Sequence, residues 1–182
     1  MHTNPYQSPS APSEAAPVRR WSTGILFLLV VGVPLGVDFA VLLITDNQGR
    51  FYWLFQQAAP ILVFAWPISI PLAVWLLHAL VKTSEAGQLQ SRQLLWLAPL
   101  VVLPITMLVW GAVFAHPRGV GFVRWQLTVV QWAFFATIAL SAVAVAGNPG
   151  RRSIVAATAL LLLLFSFSCA FTAGSSVTGD WL

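Results

Sequence analysis

Apolar residues occur in long blocks along the chain, and short polar segments separate the blocks. Five blocks can be recognised, at about 21–44, 53–81, 94–115, 122–146 and 153–173. Each is long enough for a transmembrane helix, since roughly 20 residues at about 1.5 Å per residue span the hydrocarbon of a bilayer. The pattern therefore predicts an all-α fold, a polytopic integral membrane bundle of about five transmembrane helices.

The first twenty residues have a different character. Residues 1–20 hold four of the twelve prolines, and they show no apolar periodicity. Such a segment cannot bury enough surface to offset the entropy of ordering it, so we predict a disordered cytoplasmic tail and a transmembrane domain over 21–182. The block from Trp21 to Ile44 favours a retained span over a cleaved signal, because it is long and ends without a small-residue cleavage site.

The second block carries Pro60, Pro67 and Pro71. Proline removes a backbone donor and clashes with the preceding helical turn, but neighbouring helices can compensate for this inside a membrane. The block predicts a kinked span that bends within 66–71. A re-entrant loop is the alternative.

Composition agrees with lipid as the solvent. The chain is 58% apolar and 8% charged, so its polar residues are too few to cover a soluble core of that size. The nine Lys and Arg residues stand in ones and twos between apolar blocks, which is typical of membrane loops and not of a nucleic-acid surface. We therefore expect the lipid bilayer as partner, and no nucleic acid.

The distribution of basic residues predicts an orientation. One side of the predicted topology receives six of them and the other side three: Arg19, Arg20, Lys82, Arg92, Arg151 and Arg152 against Arg50, Arg118 and Arg124. By the positive-inside rule the N-terminus is cytoplasmic and the C-terminus outside. The expected location is a cell membrane, crossed several times, of the bacterial inner-membrane kind.

Asp38 is the most unusual residue within a predicted span. It lies six residues before the end of the first block, where an unpaired carboxylate costs on the order of 3 kcal/mol. Its predicted partner is Arg124, at the outer end of the fourth span and at similar depth. The interpretations are a structural ion pair, a proton or ion site, or exposure to solvent.

The fourth span also predicts a polar face. Arg124, Thr128 and Gln131 recur at i, i+4 and i+7, so they share one side of a helix that should avoid lipid. Gln56 and Gln57 enter the second span from the same outer side. These residues with Asp38 suggest an outward-opening polar pocket among spans one, two and four, with hydrogen bonding between helices as the alternative.

Small residues at four-residue spacing form two predicted helix-packing ridges. The first span has Gly32, Gly36 and Ala40, and the fifth has Ser166, Ala170 and Gly174. Such ridges allow close approach of helices within one chain or between copies.

Recognisable catalytic or cofactor motifs are missing from the sequence. His78 and His116 are predicted at opposite faces of the membrane, and Cys169 lies in an apolar run. These residues are too far apart to bind one metal ion or haem, so we expect no metal, haem or other cofactor. We expect a small non-catalytic accessory, regulatory or structural component of a membrane assembly, packed with itself or with another membrane protein. The alternative is a transport-class protein whose path for an ion or small solute involves Asp38, Arg124 and Gln131.

Overall fold

A computed structural model describes residues 23–85, 97–116 and 125–179 of the chain. The described residues are helical and contain no strand, which confirms the all-α prediction. The predicted tail at 1–20 lies outside them. We label the helices α1 to α6: α1 joins Thr23–Phe27, Leu28–Gly32 and Val33–Ile44, and then follow α2 Gln48–Phe64, α3 Trp66–Glu85, α4 Ala98–Val113, α5 Trp125–Ala146 and α6 Arg152–Thr178.

Helix α1 contains one wide turn. Leu28–Gly32 is π-helical, and the N–H of Val33 donates to the carbonyl of Leu28, five residues back. Pro34 follows directly; its ring excludes the carbonyl four residues earlier from the usual α-helical position, so the chain widens before it. The helix then continues to Ile44, where the predicted first span also ends.

Helix α1 ends in a tight turn that connects it to α2. Asp46 has a left-handed φ of 51°, and the Asn47 N–H donates to the carbonyl of Leu42 at 3.1 Å. A left-handed residue followed by this backward hydrogen bond satisfies carbonyls that the helix end leaves free. Aspartate tolerates the conformation better than most residues other than glycine.

The second predicted span is sharply broken between α2 and α3. The two helices meet at Ala65 with an angle of 81°, and α3 then runs without interruption through Pro71. The break thus lies at the front edge of the predicted bend at 66–71. Pro67 explains its position, because proline opposes a continuing helix but fits a first helical turn, where its missing N–H would have no partner.

Helix α6 is longer than the predicted fifth span. It continues past 173 to Thr178 and ends at Gly179, which has a left-handed φ of 77°. Apart from Val177, the added residues are glycine, serine and threonine, and the hydroxyl of Thr178 donates to the carbonyl of Gly174 at 3.1 Å. Local hydrogen bonds of this kind keep polar residues compatible with a helix.

Helix α6 is also the centre of the bundle, since α2, α3, α4 and α5 all pack against it. The closest approach is to α4. A Cβ added to Gly111 would lie 2.8 Å from the Cα of Ala173, so only glycine fits this crossing without movement of the backbone.

The contacts place the ends of the helices at two poles. At the pole we call the Arg50 end, the Arg50 guanidinium donates to the Ala112 carbonyl at 3.4 Å, and the His116 N–H donates to the Ser176 carbonyl at 3.0 Å. At the opposite pole, the Arg152 end, Leu97 packs with Ala144 and Val155. Helices α1, α4 and α6 therefore run toward the Arg50 end, whereas α5 and the bent pair α2–α3 run toward the Arg152 end, where His78 of α3 lies near Gly150.

Three of the described helical stretches are long and apolar enough to cross a membrane: Gly24–Ile44, Trp125–Ala146 and Pro149–Thr178. The bent pair α2–α3 brings the number to four if it counts as one span, and α4 is shorter, at 16 residues. Large apolar side chains cover the outside of the bundle; Ile44, Phe64 and Trp132 are 84%, 83% and 70% exposed. A surface of this kind suits lipid or a protein partner.

Candidate functional site

Asp38 is joined to a hydroxyl on the neighbouring helix. The Thr106 Oγ1 donates to Asp38 Oδ2 at 2.7 Å, which links α1 to α4. Asp38 lies six residues before the end of α1, and Thr106 lies seven before the end of α4. Because both helices run toward the Arg50 end, these similar distances from their ends put the two side chains at nearly the same level.

The Thr106 hydroxyl has a choice of acceptor. Its oxygen also lies 3.1 Å from the carbonyl of Val102, one turn back in α4. A hydroxyl carries one proton and can accept through its oxygen. It donates to Asp38 when the carboxylate is ionised, and it can donate to Val102 while accepting from Asp38 when the carboxyl is protonated. The pair thus offers a hydrogen bond to either form of the carboxyl group.

The Asp38–Thr106 pair lines a mostly apolar cleft of about 280 Å³ between α1 and α4. Aromatic rings of Trp110 and Phe114 form part of its wall. Trp125 of α5 packs edge-on against both, with ring centroids 5.6 and 5.8 Å away. The indole N–H of Trp110 donates to the Gln126 carbonyl at 3.1 Å, which fixes this wall to α5. The cleft therefore combines one carboxyl group with mostly apolar sides.

The described residues of the predicted polar face on the fourth span, Thr128 and Gln131, do not form part of this cleft. Arg124, the predicted partner of Asp38, lies outside the described residues. Thr128 is half-buried on α5, and Gln131 is exposed on the outside of the bundle. The side-chain amide of Gln131 has no hydrogen-bond partner within the described ranges, and neither residue lines the cleft.

Gln56 and Gln57 are both exposed on α2. Gln57 borders a separate cleft of about 200 Å³ between α2 and α6, together with Thr172 and Ser175. The structure thus does not bring these glutamines to Asp38, and the suggested pocket among spans one, two and four is not assembled from the described residues.

The two small-residue ridges have different surroundings. On α1, Gly36 and Ala40 are exposed, and a Cβ on Gly36 would meet nothing within 4 Å, whereas a Cβ on Gly32 would meet its own neighbour Leu28 at 2.9 Å. On α6, Ser166 is fully buried, Gly174 is buried, and Ala170 packs against the core beside Ala173. The α6 ridge therefore packs within the chain, and the α1 ridge faces outward.

Hydroxyl groups along α6 tie the bundle together. Ser166 shares a hydrogen bond of 3.0 Å with Thr137 of α5, Ser168 donates to the Ala58 carbonyl of α2, and Ser176 donates to the Gly111 carbonyl of α4 at 2.8 Å. All are buried, so they have no water to replace these bonds. Sequence reasoning treated this run as small-residue packing and missed its hydrogen bonding, although the recurrence of Ser and Thr in 166–178 signals it.

The histidines and the cysteine are dispersed. His78 lies at the Arg152 end near Gly150, His116 contacts the Phe114 carbonyl at the Arg50 end, and Cys169 is fully buried in the core. Within the described ranges, no three His, Cys, Asp or Glu side chains lie close enough to hold a metal ion.

Thr106 was not predicted from the sequence as a site residue. The signal was present, because it is a lone polar residue in the apolar block 98–113 at the depth of Asp38. Predicting Thr106 as the partner of Asp38 requires knowing that α1 and α4 are neighbours, and the spacing of residues along the chain does not reveal this.

Comparison with known proteins identifies no relative: no protein-family model matches the chain, and no curated protein or solved structure matches it.

Proposed function

We propose that this chain is a non-catalytic component of a membrane assembly, embedded in a bacterial inner membrane, that packs against a second copy of itself or another membrane protein. Five crossings are proposed, formed by α1, the bent pair α2–α3, α4, α5 and α6. The alternating helix directions support this topology, with the Arg152 end in the cytoplasm and the Arg50 end outside.

The observation that carries the proposal is the position of Gln131. Its amide is exposed on α5, six residues or about 9 Å beyond Trp125, beside the exposed rings of Trp132 and Phe135. Lipid offers no hydrogen bonds, so an amide directed into hydrocarbon loses those it would make in water. A facing helix can supply a partner, and polar side chains of this kind stabilise contacts between membrane helices.

Helix α1 supports the same conclusion. From Leu28 to Ile44 only Leu42 is buried, so this helix lies at the edge of the bundle. Its Gly36 and Ala40 surface leaves room for the backbone of another helix. The chain thus presents two outer faces suited to a protein neighbour.

The proposal is tested by the mass of the complex in mild detergent. We expect wild-type protein to migrate with additional copies or a co-purifying membrane protein, and Gln131→Leu to shift it toward the isolated chain because the amide contact is lost. Gln48→Leu is the control, since it makes the same chemical change at the exposed first residue of α2. A wild-type protein that is monomeric and alone, or equal behaviour of both variants, would refute the proposal.

A second candidate is a transport-class protein whose path for an ion or small solute involves Asp38, Arg124 and Gln131. The cleft beside Asp38 favours it, because a carboxyl group in an apolar cleft can serve as a cation or proton site. We rank it second because Gln131 does not line this cleft.

A further inference from the structure

The largest of the clefts described here is a groove between α5 and α6 at the Arg152 end. Its volume is about 550 Å³. The groove exists because the facing positions are small: Ala142 and Ala146 on α5 stand opposite Ala156 and Ala159 on α6. Larger apolar side chains, including Leu160 and Leu163, line the remainder. The groove is thus open on one side and lined almost entirely by apolar surface.

The mouth of the groove is positively charged. Arg152 lines it and is exposed. It is also the first residue of α6, whose first turn has no acidic residue and whose N-cap makes no side-chain hydrogen bond. The 3-10 turn Pro149–Arg151 leads directly into this helix, and the positive end of the helix dipole adds to the potential of the guanidinium. This combination of charges suits an anion.

The length of the groove matches one leaflet of a bilayer. Arg152 and Leu163 are eleven residues apart on α6, or about 16 Å at 1.5 Å per residue. Half of a hydrocarbon core is about 15 Å thick. With Arg152 at the headgroup level, the groove would reach roughly the bilayer midplane.

We propose that this groove binds one phospholipid of the leaflet at the Arg152 end, with the headgroup phosphate on Arg152 and an acyl chain between α5 and α6. Charge and length together identify the occupant. The arginine at the mouth matches the phosphate of a lipid, and an apolar groove as long as one leaflet matches its acyl chain. Anionic headgroups are favoured over zwitterionic ones because their negative charge is not cancelled. The inference rests on the proposed membrane embedding but not on assembly with a protein partner.

Native mass spectrometry of the full chain in mild detergent tests the proposal, with phosphatidylglycerol and phosphatidylcholine of identical acyl chains as probes. We expect phosphatidylglycerol to bind more tightly. Arg152→Gln should weaken its binding about fivefold, as expected for loss of one interfacial charge, while Arg152→Lys should retain most of it. Arg50→Gln, at the other pole, is the charge control and should have no effect.

A second pair of variants tests the acyl site. Ala142 is exposed in the groove, so Ala142→Leu should fill the groove and weaken binding of both lipids. Ala139→Leu makes the same change at an exposed α5 position that does not line the groove, and it should bind as wild type. Equal binding of the two lipids with no effect of Arg152→Gln, or equal effects of the two leucine variants, would overturn the proposal. The same spectra count chains, so loss of lipid and loss of assembly are distinguishable.

Discussion

The carboxyl group of Asp38 lies in an apolar helix and accepts a hydrogen bond from one hydroxyl group, that of Thr106. The Thr106 hydroxyl lies 2.7 Å from the carboxylate, and the surrounding cleft is otherwise formed by valine and aromatic side chains. A hydrogen bond to a charged group is worth about 1.5–3 kcal/mol, and losing a buried partner exposes the full desolvation cost. The pair should therefore be energetically coupled.

A double-mutant cycle tests this coupling. Thr106→Val should lower the free energy of unfolding by about 1–3 kcal/mol, whereas Thr106→Ser keeps the hydroxyl and should cost less. In an Asp38→Leu background Thr106→Val should have little further effect, because the group that needed the hydroxyl is gone. The measurement is chemical unfolding in detergent micelles, and additive effects of the two substitutions would exclude the pair as a stabilising contact.

The sequence singled out Asp38 at this scale but not its partner. An aspartate in an apolar block is visible in one dimension, since the cost of a lone charge depends on its own surroundings. Thr106 gives a weaker signal, because threonine is tolerated in membrane helices and can bond to its own backbone. The predicted pairing with Arg124 remains a prediction.

Individual helices gain their form from a few residues that act on the backbone. Pro34 accompanies a wide turn in α1, Pro67 the break before α3, and Gly111 the close crossing of α4 with α6. Prolines could be used to predict a bend from sequence, though not which side of Pro67 it would take or its angle of 81°. The hydropathy pattern predicts the end of α6 at 173, five residues before its end at Thr178, because the polar residues after 173 resemble a loop.

The α4–α6 crossing yields a prediction at the scale of elements. Gly111→Ala should lower the free energy of unfolding by about 1–3 kcal/mol, because the new methyl meets the Ala173 backbone, which cannot turn aside. Gly36→Ala is the matched control. Its added methyl meets nothing within 4 Å, and alanine favours a helix over glycine by about 1 kcal/mol.

Thermal unfolding of both variants in the same detergent, followed by tryptophan fluorescence, separates these cases. The expected order of Tm is Gly36→Ala at or above wild type and Gly111→Ala below it. If Gly111→Ala matched wild type, the two helices would have to be farther apart than the structure places them.

At the scale of the whole molecule, the apolar blocks and their short connections gave the helical class, and the structure confirms it. Two features of the structure cannot be predicted from the hydropathy pattern: the central position of α6 and the way the bent pair α2–α3 crosses the membrane. Four helices pack on α6, a consequence of small and hydroxyl side chains such as Ser166 and Ser168. The broken pair α2–α3 also makes the number of crossings depend on how a bent helix sits in lipid.

Topology reporters test the proposed arrangement. A reporter active only in the cytoplasm, fused after Leu182, should be inactive, and one inserted at Gly150 between α5 and α6 should be active. A periplasmic reporter should give the reverse pattern. The reason is the excess of Lys and Arg residues that the sequence predicts on the cytoplasmic side. Cytoplasmic activity at both positions would contradict the span count or the orientation.

The central helix α6 follows the other five described helices in the sequence. Thr178 is 134 positions after Ile44, a length that a ribosome adds in on the order of ten seconds at about 5–20 residues per second. During that time α1 to α5 leave the ribosome without the surface against which four of them finally pack. Until α6 is made, these helices have only their contacts with one another, such as those of α4 with α1 and α5, so the synthesis of one helix would complete the core of the bundle.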